Sequence, residues 1–141
     1  MEPLEAATLP AGALVLVDNA PIIYVLEGHA RLAARFAPLF ERHARGEIAL
    51  AVTTVTVAEV LTGPLAAGEE ALARRYRVAL ESWQVIDFDS DIAELAARLR
   101  ATYRLKLPDA IQLASALSIH ADALVTHDRD FKRVRGMRIL A

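Results

Sequence analysis

Short apolar runs rich in branched residues recur along this chain, each separated from the next by a stretch with helical spacing, and that alternation restricts the fold more than any other feature. Leu14-Val-Leu-Val17 is ended by Asp18-Asn19 and then Pro21, a residue suited to the first turn of a helix. Ile48–Thr53, Gln84–Phe88 and Ala123–Thr126 read as further strands, with a last one at Arg138–Leu140. Between them, Leu32, Phe36, Leu39, Phe40 and His43 fall at helical spacing within residues 30–45, where Pro38 is expected to kink or divide the helix. Thr56-Val-Ala-Glu59 has the pattern of a capping box, opening a short helix that Gly63-Pro64 is expected to terminate. A longer helix is expected over Glu69–Trp83, then one capped by Ser90 or Asp91 with Ile92, Leu95, Ala96, Leu99 and Tyr103 on its apolar face. Pro108 and Asp109 suit the first turn of a helix over 108–120. Parallel strands need crossover connections and bury both faces, so this order predicts an α/β fold with a parallel sheet covered by helices. A third of the chain is Ala or Leu, which argues against an all-β fold.

With 141 residues and 55% hydrophobic composition the chain has material for one core, and it reads as a single domain over 14–141. Residues 1–13 read as a short leader that need not be ordered. The absence of cysteine removes disulfides, thiolate zinc sites, Fe–S clusters and thiol nucleophiles together, leaving oxygen and imidazole to carry any chemistry. A formal net charge of −2 names no polyanionic partner, so any basic surface must be local. Glu2 and Glu5 stand where a signal peptide carries positive charge, and no apolar run reaches the roughly 18–20 residues of a membrane span. A cytoplasmic protein without a membrane partner is expected.

In open parallel sheets ligands bind beyond the carboxyl ends of the strands, so polar residues just after strands matter most. Asp18 follows the first strand and Asp128 the fourth, Glu59 lies in the short helix after the second, and Asp109 opens the helix before the fourth. Each acid alone has a structural explanation: a helix cap for Asp18, a capping box for Glu59, a helix dipole for Asp109 and a turn for Asp128. Jointly they point to one end of a small sheet. Carboxylates about 4 Å apart repel by roughly 4 kcal/mol per pair at an effective dielectric near 20, so such a group needs protons or cations. An all-oxygen donor set suits Mg²⁺ or Mn²⁺, and paired ions can hold both oxygens of a phosphodiester displacement.

The chain resembles the PIN domain, specifically the VapC-type toxin ribonucleases of toxin–antitoxin pairs. The resemblance is carried by Leu14-Val-Leu-Val-Asp18-Asn-Ala-Pro-Ile-Ile-Tyr-Val-Leu26, Thr56-Val-Ala-Glu59-Val-Leu-Thr-Gly63, Leu105-Lys-Leu-Pro-Asp109-Ala-Ile-Gln-Leu-Ala-Ser-Ala-Leu117 and Leu124-Val-Thr-His-Asp128-Arg-Asp-Phe131. It spans about residues 14–140, and the Leu-Pro-Asp-Ala segment followed by Thr-x-Asp-x-Asp-Phe is its most specific part. The resemblance implies a five-stranded parallel sheet in a three-layer α/β/α sandwich. It implies a Mg²⁺- or Mn²⁺-dependent endoribonuclease whose acidic metal site is Asp18, Glu59, Asp109 and Asp128, with Asp18, Asp109 and Asp128 as direct ligands. Asn19, Thr126, His127 and Asp130 are the candidate substrate contacts. His127 stands where such toxins more often have Asn, and its imidazole either binds substrate or faces solvent. An RNA substrate, a homodimer, and a cognate antitoxin whose tail occludes the groove are further implications.

Other classes fit less well. None of the six glycines forms a phosphate-binding Gly-rich turn after a strand, Ser82, Ser90, Ser115 and Ser118 lack a nucleophile elbow, and H-E-x-x-H is absent. A Mg²⁺-dependent phosphoryl-transfer domain of receiver type would need a well-placed lysine, and only Lys106 and Lys132 exist. A PIN-like module that binds RNA or protein without catalysis is the other alternative, and retention of all four acids argues against it. Arg31, Arg35, Arg42 and Arg45 share one side of an ideal helix, either as a basic stripe for phosphate or an acidic partner, or as a solvated face.

Overall fold

In the computed structural model, which describes residues 5–141, β1 (Leu14–Val17) turns Val15 and Val17 to one face of the sheet and Leu16 to the other. That pleat divides the core in two. β2 (Ala49–Thr53) adds Leu50 and Val52 to the first half and Ala51 to the second, and β4 (Ala123–Val125) adds Ala123 and Val125 to the first and Leu124 to the second. The first half is closed by α1 (Asn19–Leu26), α2 (Leu32–Ala44), α3 (Thr54–Ala66) and α4 (Glu70–Glu81), which contribute Ile22, Phe36, Leu39, Val60 and Leu80. The second is closed by α5 (Ser90–Tyr103) and α6 (Leu107–Ser118), together with Phe131. The result is the expected three-layer α/β/α sandwich.

With β3 (Gln84–Ile86) and β5 (Ile139–Leu140) the sheet has five strands in the order β3-β2-β1-β4-β5, all parallel. The chain builds outward from β1 in one direction through β2 and β3, then returns to the other side of β1 for β4 and β5. The carboxyl ends of β1 and β4 therefore flank the point where strand order reverses, where open α/β sheets leave a crevice. α6 runs into β4, so its first turn lies over that same edge. All residues from Asp109 to Ala116 are buried, and the small side chains Ala110, Ala114 and Ala116 let the helix lie close to its neighbours.

Local chemistry differs from the sequence expectation in several places. α3 starts two residues before Thr56, because Thr53 Oγ1 accepts from the Thr56 amide at 3.1 Å, and it runs on through Gly63-Pro64, with Pro64 buried in its last turn. α5 is capped by Asp89, whose Oδ1 accepts from the Ile92 amide at 2.9 Å, rather than by Ser90 or Asp91. α2 stays one helix across Pro38, anchored by the buried Phe36 and Leu39 on either side of it.

Residues 5–13, the described part of the leader, pack on the core. Ala6 and Leu9 are buried in its first half, and one guanidinium holds both backbones: Arg42 Nη1 donates to the carbonyls of Ala6 at 2.8 Å and Leu9 at 2.6 Å. Gly12, at φ +83°, makes the turn that brings its amide to the Glu47 carbonyl. The part of the leader expectation that falls on residues 1–4 lies outside the described residues. No helix among the described residues is long and apolar enough to cross a membrane.

Candidate metal centre

Asp18 leaves β1 in extended conformation and caps α1, its Oδ1 accepting from the Asn19 amide at 2.8 Å. The same oxygen accepts from Gln112 Nε2 at 2.8 Å, and Oδ2 accepts from Thr126 Oγ1 at 2.9 Å. Helix cap and site residue are thus the same side chain. Gln112 is itself pinned, since its Oε1 accepts from Thr53 Oγ1 at 2.9 Å and its Nε2 also reaches Thr56 Oγ1 at 2.6 Å. This buried network ties β1, α3, α6 and the end of β4 to one carboxylate.

Asp109 is buried in the first turn of α6, and its Oδ2 has no hydrogen-bond partner among the described residues. Asp109, Asp128 and Asp130 each bring a carboxylate oxygen within 4.8 Å of the others. Burial is the main force pushing the Asp109 carboxyl up, to about 7; the neighbouring Asp128 carboxyl and the charges of Asp18 and Asp130 add to it. The loop is shaped by its own backbone: the Asp128 amide donates to Thr126 Oγ1 at 3.0 Å, and the Asp130 amide donates to Asp128 Oδ1 at 2.8 Å, capping a 3₁₀ turn over Arg129–Arg133. Lys106 Nζ lies 3.7 Å from Asp130 Oδ2. Glu59 is exposed on α3, and its carboxyl is pushed up by desolvation and by the charge of Asp18.

Of the four acids singled out in the sequence, Asp109 and Asp128 come together with Asp130 in the tight group, and Asp18 lies near enough for its charge to act on both Asp109 and Glu59. Asp130, a candidate substrate contact, brings its carboxylate beside those of Asp109 and Asp128. Thr126, also expected there, is fully buried and acts inward on Asp18 and Asp128. Asn19 is half-buried and serves Asp18 through its backbone amide. His127 is exposed, with Nδ1 3.1 Å from the Tyr24 hydroxyl.

Three arginines of the stripe are engaged within the fold. Arg42 and Arg45 both pair with Glu47 at 2.8 Å, and Arg35 donates to the Ala141 carbonyl. Those contacts hold the Glu47 carboxyl down at about 2, chiefly through the hydrogen bonds from Arg45 and Arg42. Sequence reasoning missed Gln112, although a single amide within the apolar run Ala-Ile-Gln-Leu-Ala three residues after Asp109 is a legible sign of a buried polar contact.

Three carboxylates with one orphaned buried oxygen fit a hard divalent cation, which takes oxygen donors and offsets the repulsion among them. The PIN domain family matches residues 15–137. A chain in a toxin–antitoxin complex from Klebsiella pneumoniae is 31% identical and aligns over 87% of this chain and 94% of its own, with a TM-score of 0.67. The same fold occurs in VapBC2 from Rickettsia felis bound to a DNA fragment from its promoter (18% identity, 89% and 96% coverage, TM-score 0.72). It also occurs in VapC20 of Mycobacterium tuberculosis, a toxin that cleaves the sarcin-ricin loop (16% identity, 83% and 92% coverage, TM-score 0.65). No curated protein matches the sequence significantly. With the family match covering most of the sheet and every acid at its carboxyl edge, the chain belongs to the PIN domain family.

Proposed function

We propose that this protein is the toxin of a type II toxin–antitoxin pair and a Mg²⁺- or Mn²⁺-dependent endoribonuclease of the cytoplasm that hydrolyses RNA phosphodiester bonds. The observation that carries this reading is the unpartnered Oδ2 of buried Asp109, set among the carboxylates of Asp128 and Asp130. A group so placed is costly unless a proton or a cation completes it. The likeness to a chain of a toxin–antitoxin complex supports the biological setting with a cognate antitoxin as partner; a homodimer is the assembly proposed with it.

Asp18, Asp109 and Asp128 would hold the cation, with Glu59 and Asp130 adding their carboxylates to the same acidic site. When bound, a divalent ion lowers the pKa of an attacking water and neutralises charge on the phosphoryl oxygens. The chain's own part is preorganisation. Gln112, Thr126 and the Asn19 amide fix the Asp18 carboxylate, so the negative field at the crevice is set before substrate arrives. Thr126 couples that carboxylate to the Asp128 loop. Glu59 on α3, its carboxyl pushed up by desolvation and then by the charge of Asp18, would add to the negative field of the site.

Incubating the purified protein with single-stranded RNA in Mn²⁺ and in EDTA tests the reading. Cleavage in Mn²⁺ that EDTA abolishes and Asp109→Asn removes is the expected result. An intact substrate under all conditions would favour a PIN module that binds without cutting.

A further inference from the structure

Beside the acidic triplet the surface changes sign. A cleft of about 260 Å³ is lined by Arg35, His127, Arg129, Lys132 and Ala141. Arg129, Lys132 and Ala141 also line an adjoining cleft of about 340 Å³ that takes in Asp128. The two basic side chains therefore stand next to the carboxylates without neutralising them: both are exposed, and neither has an ion-pair partner among the described residues.

His127 completes this wall and is held from behind. The Tyr24 hydroxyl lies 3.1 Å from its Nδ1, and the rings of Tyr24 and Phe36 meet the imidazole at steep angles, with centroids 5.5 and 5.8 Å away. Nε2 has no partner among the described residues. In the tautomer in which Nδ1 accepts from the Tyr24 hydroxyl, Nε2 carries the hydrogen and is available to donate to a ligand in the cleft that His127 lines. Arg35, engaged with the Ala141 carbonyl, closes the far side.

An acidic triplet by itself repels a nucleic-acid strand, so a strand cut there needs cationic contacts at a neighbouring phosphate to stay in place. We propose that this cleft is a phosphate subsite for single-stranded RNA, in which Arg129, Lys132 and Nε2 of His127 hold a phosphodiester flanking the one at the acidic triplet. The identity of that second phosphate as the scissile one rests on the nuclease reading above. Three donors from one short segment, His127 to Lys132, would fix the strand relative to Asp128, because Asp128 caps the 3₁₀ turn that carries Arg129 and Lys132.

The test measures binding of a short single-stranded RNA to the full chain in EDTA by fluorescence anisotropy, across a salt series. Arg129→Ala combined with Lys132→Ala should weaken binding ~10-fold near 0.1 M salt and lower the slope of log K against log salt by about 1. Arg74→Ala combined with Arg75→Ala removes the same charge from exposed positions on α4 and should change affinity by no more than about twofold. Equal losses from the two pairs would overturn the subsite. An RNA carrying one neutral methylphosphonate, moved along the strand, should show one flanking position whose effect disappears in the Arg129/Lys132 variant and shrinks in His127→Ala; additivity at every position would also overturn it. If wild-type protein shows that position but cuts no RNA in Mn²⁺, the nuclease reading falls and the subsite stands. If it cuts RNA and the cleft variants bind like wild type, the subsite falls and the nuclease reading stands.

Discussion

Gln112 Nε2 stands 2.8 Å from Oδ1 of Asp18, so a neutral amide on α6 holds the carboxylate that ends β1, although 94 positions separate them in the chain. The amide's other bonds run to Thr53 and Thr56, which makes it the point where the two crossover halves of the fold meet at the crevice.

Replacing Gln112 by Leu keeps the volume and removes one buried hydrogen bond from each of Thr53 Oγ1, Thr56 Oγ1 and Asp18 Oδ1. A loss of about 1–3 kcal/mol in urea melts is expected, the usual cost of unsatisfied buried polar groups. Mn²⁺ affinity should also fall 10–100-fold, as when an orienting partner behind a metal site is removed. Unchanged stability would mean that the network contributes nothing to folding.

Asp109 gives the apo protein a pH dependence with a definite sign. Its carboxyl is raised from an ordinary 3.8 to about 7, so the contribution is fully present below about pH 4 and is lost as pH rises toward 7. In EDTA the wild type should therefore lose at least about 1 kcal/mol across that window from this group alone. Asp109→Asn should flatten the profile and be at least as stable as wild type at pH 7.5. A clear loss of stability in that variant would instead assign Asp109 a purely structural role at the helix dipole.

The broad plan of the fold was legible because it follows from local rules. Branched apolar runs made the strands, and Asp or Thr after a strand made a cap, so β1, β4 and Asp18 fell where expected. What could not be read was anything decided by long-range packing. The cap of α3 moved to Thr53 because that hydroxyl is already held by Gln112, and Asp130 entered the triplet because a 3₁₀ turn folds it back over Asp128. The packing of residues 5–13 depends on Arg42, 33 and 36 positions beyond its acceptors, a contact no periodicity encodes.

Arg42→Ala should release that segment. The side chain is 13% exposed and serves two carbonyls and Glu47, so a loss of about 1.5–3 kcal/mol is expected. Hydrogen exchange would show the amides of Leu9 and Ala13 losing protection while those of β1 keep it. Retained protection at Leu9 would show that apolar burial alone secures the segment.

A cognate antitoxin that sets a basic side chain against the triplet should compete with the cation. Its apparent affinity should fall as Mn²⁺ rises at constant ionic strength, and Asp109→Asn should weaken that dependence. An affinity indifferent to Mn²⁺, with RNA cleavage intact in the complex, would refute inhibition by occupation of the crevice.

The most direct measurement is calorimetric titration of Mn²⁺ into wild type, Asp109→Asn and Asp128→Asn, read beside RNA cleavage by the same three preparations. Saturable binding and cleavage in the wild type, with both lost in folded variants, is the expected result. Cleavage at the wild-type rate by either variant, or wild-type cleavage that persists in EDTA, would contradict a metal-dependent site at these carboxylates.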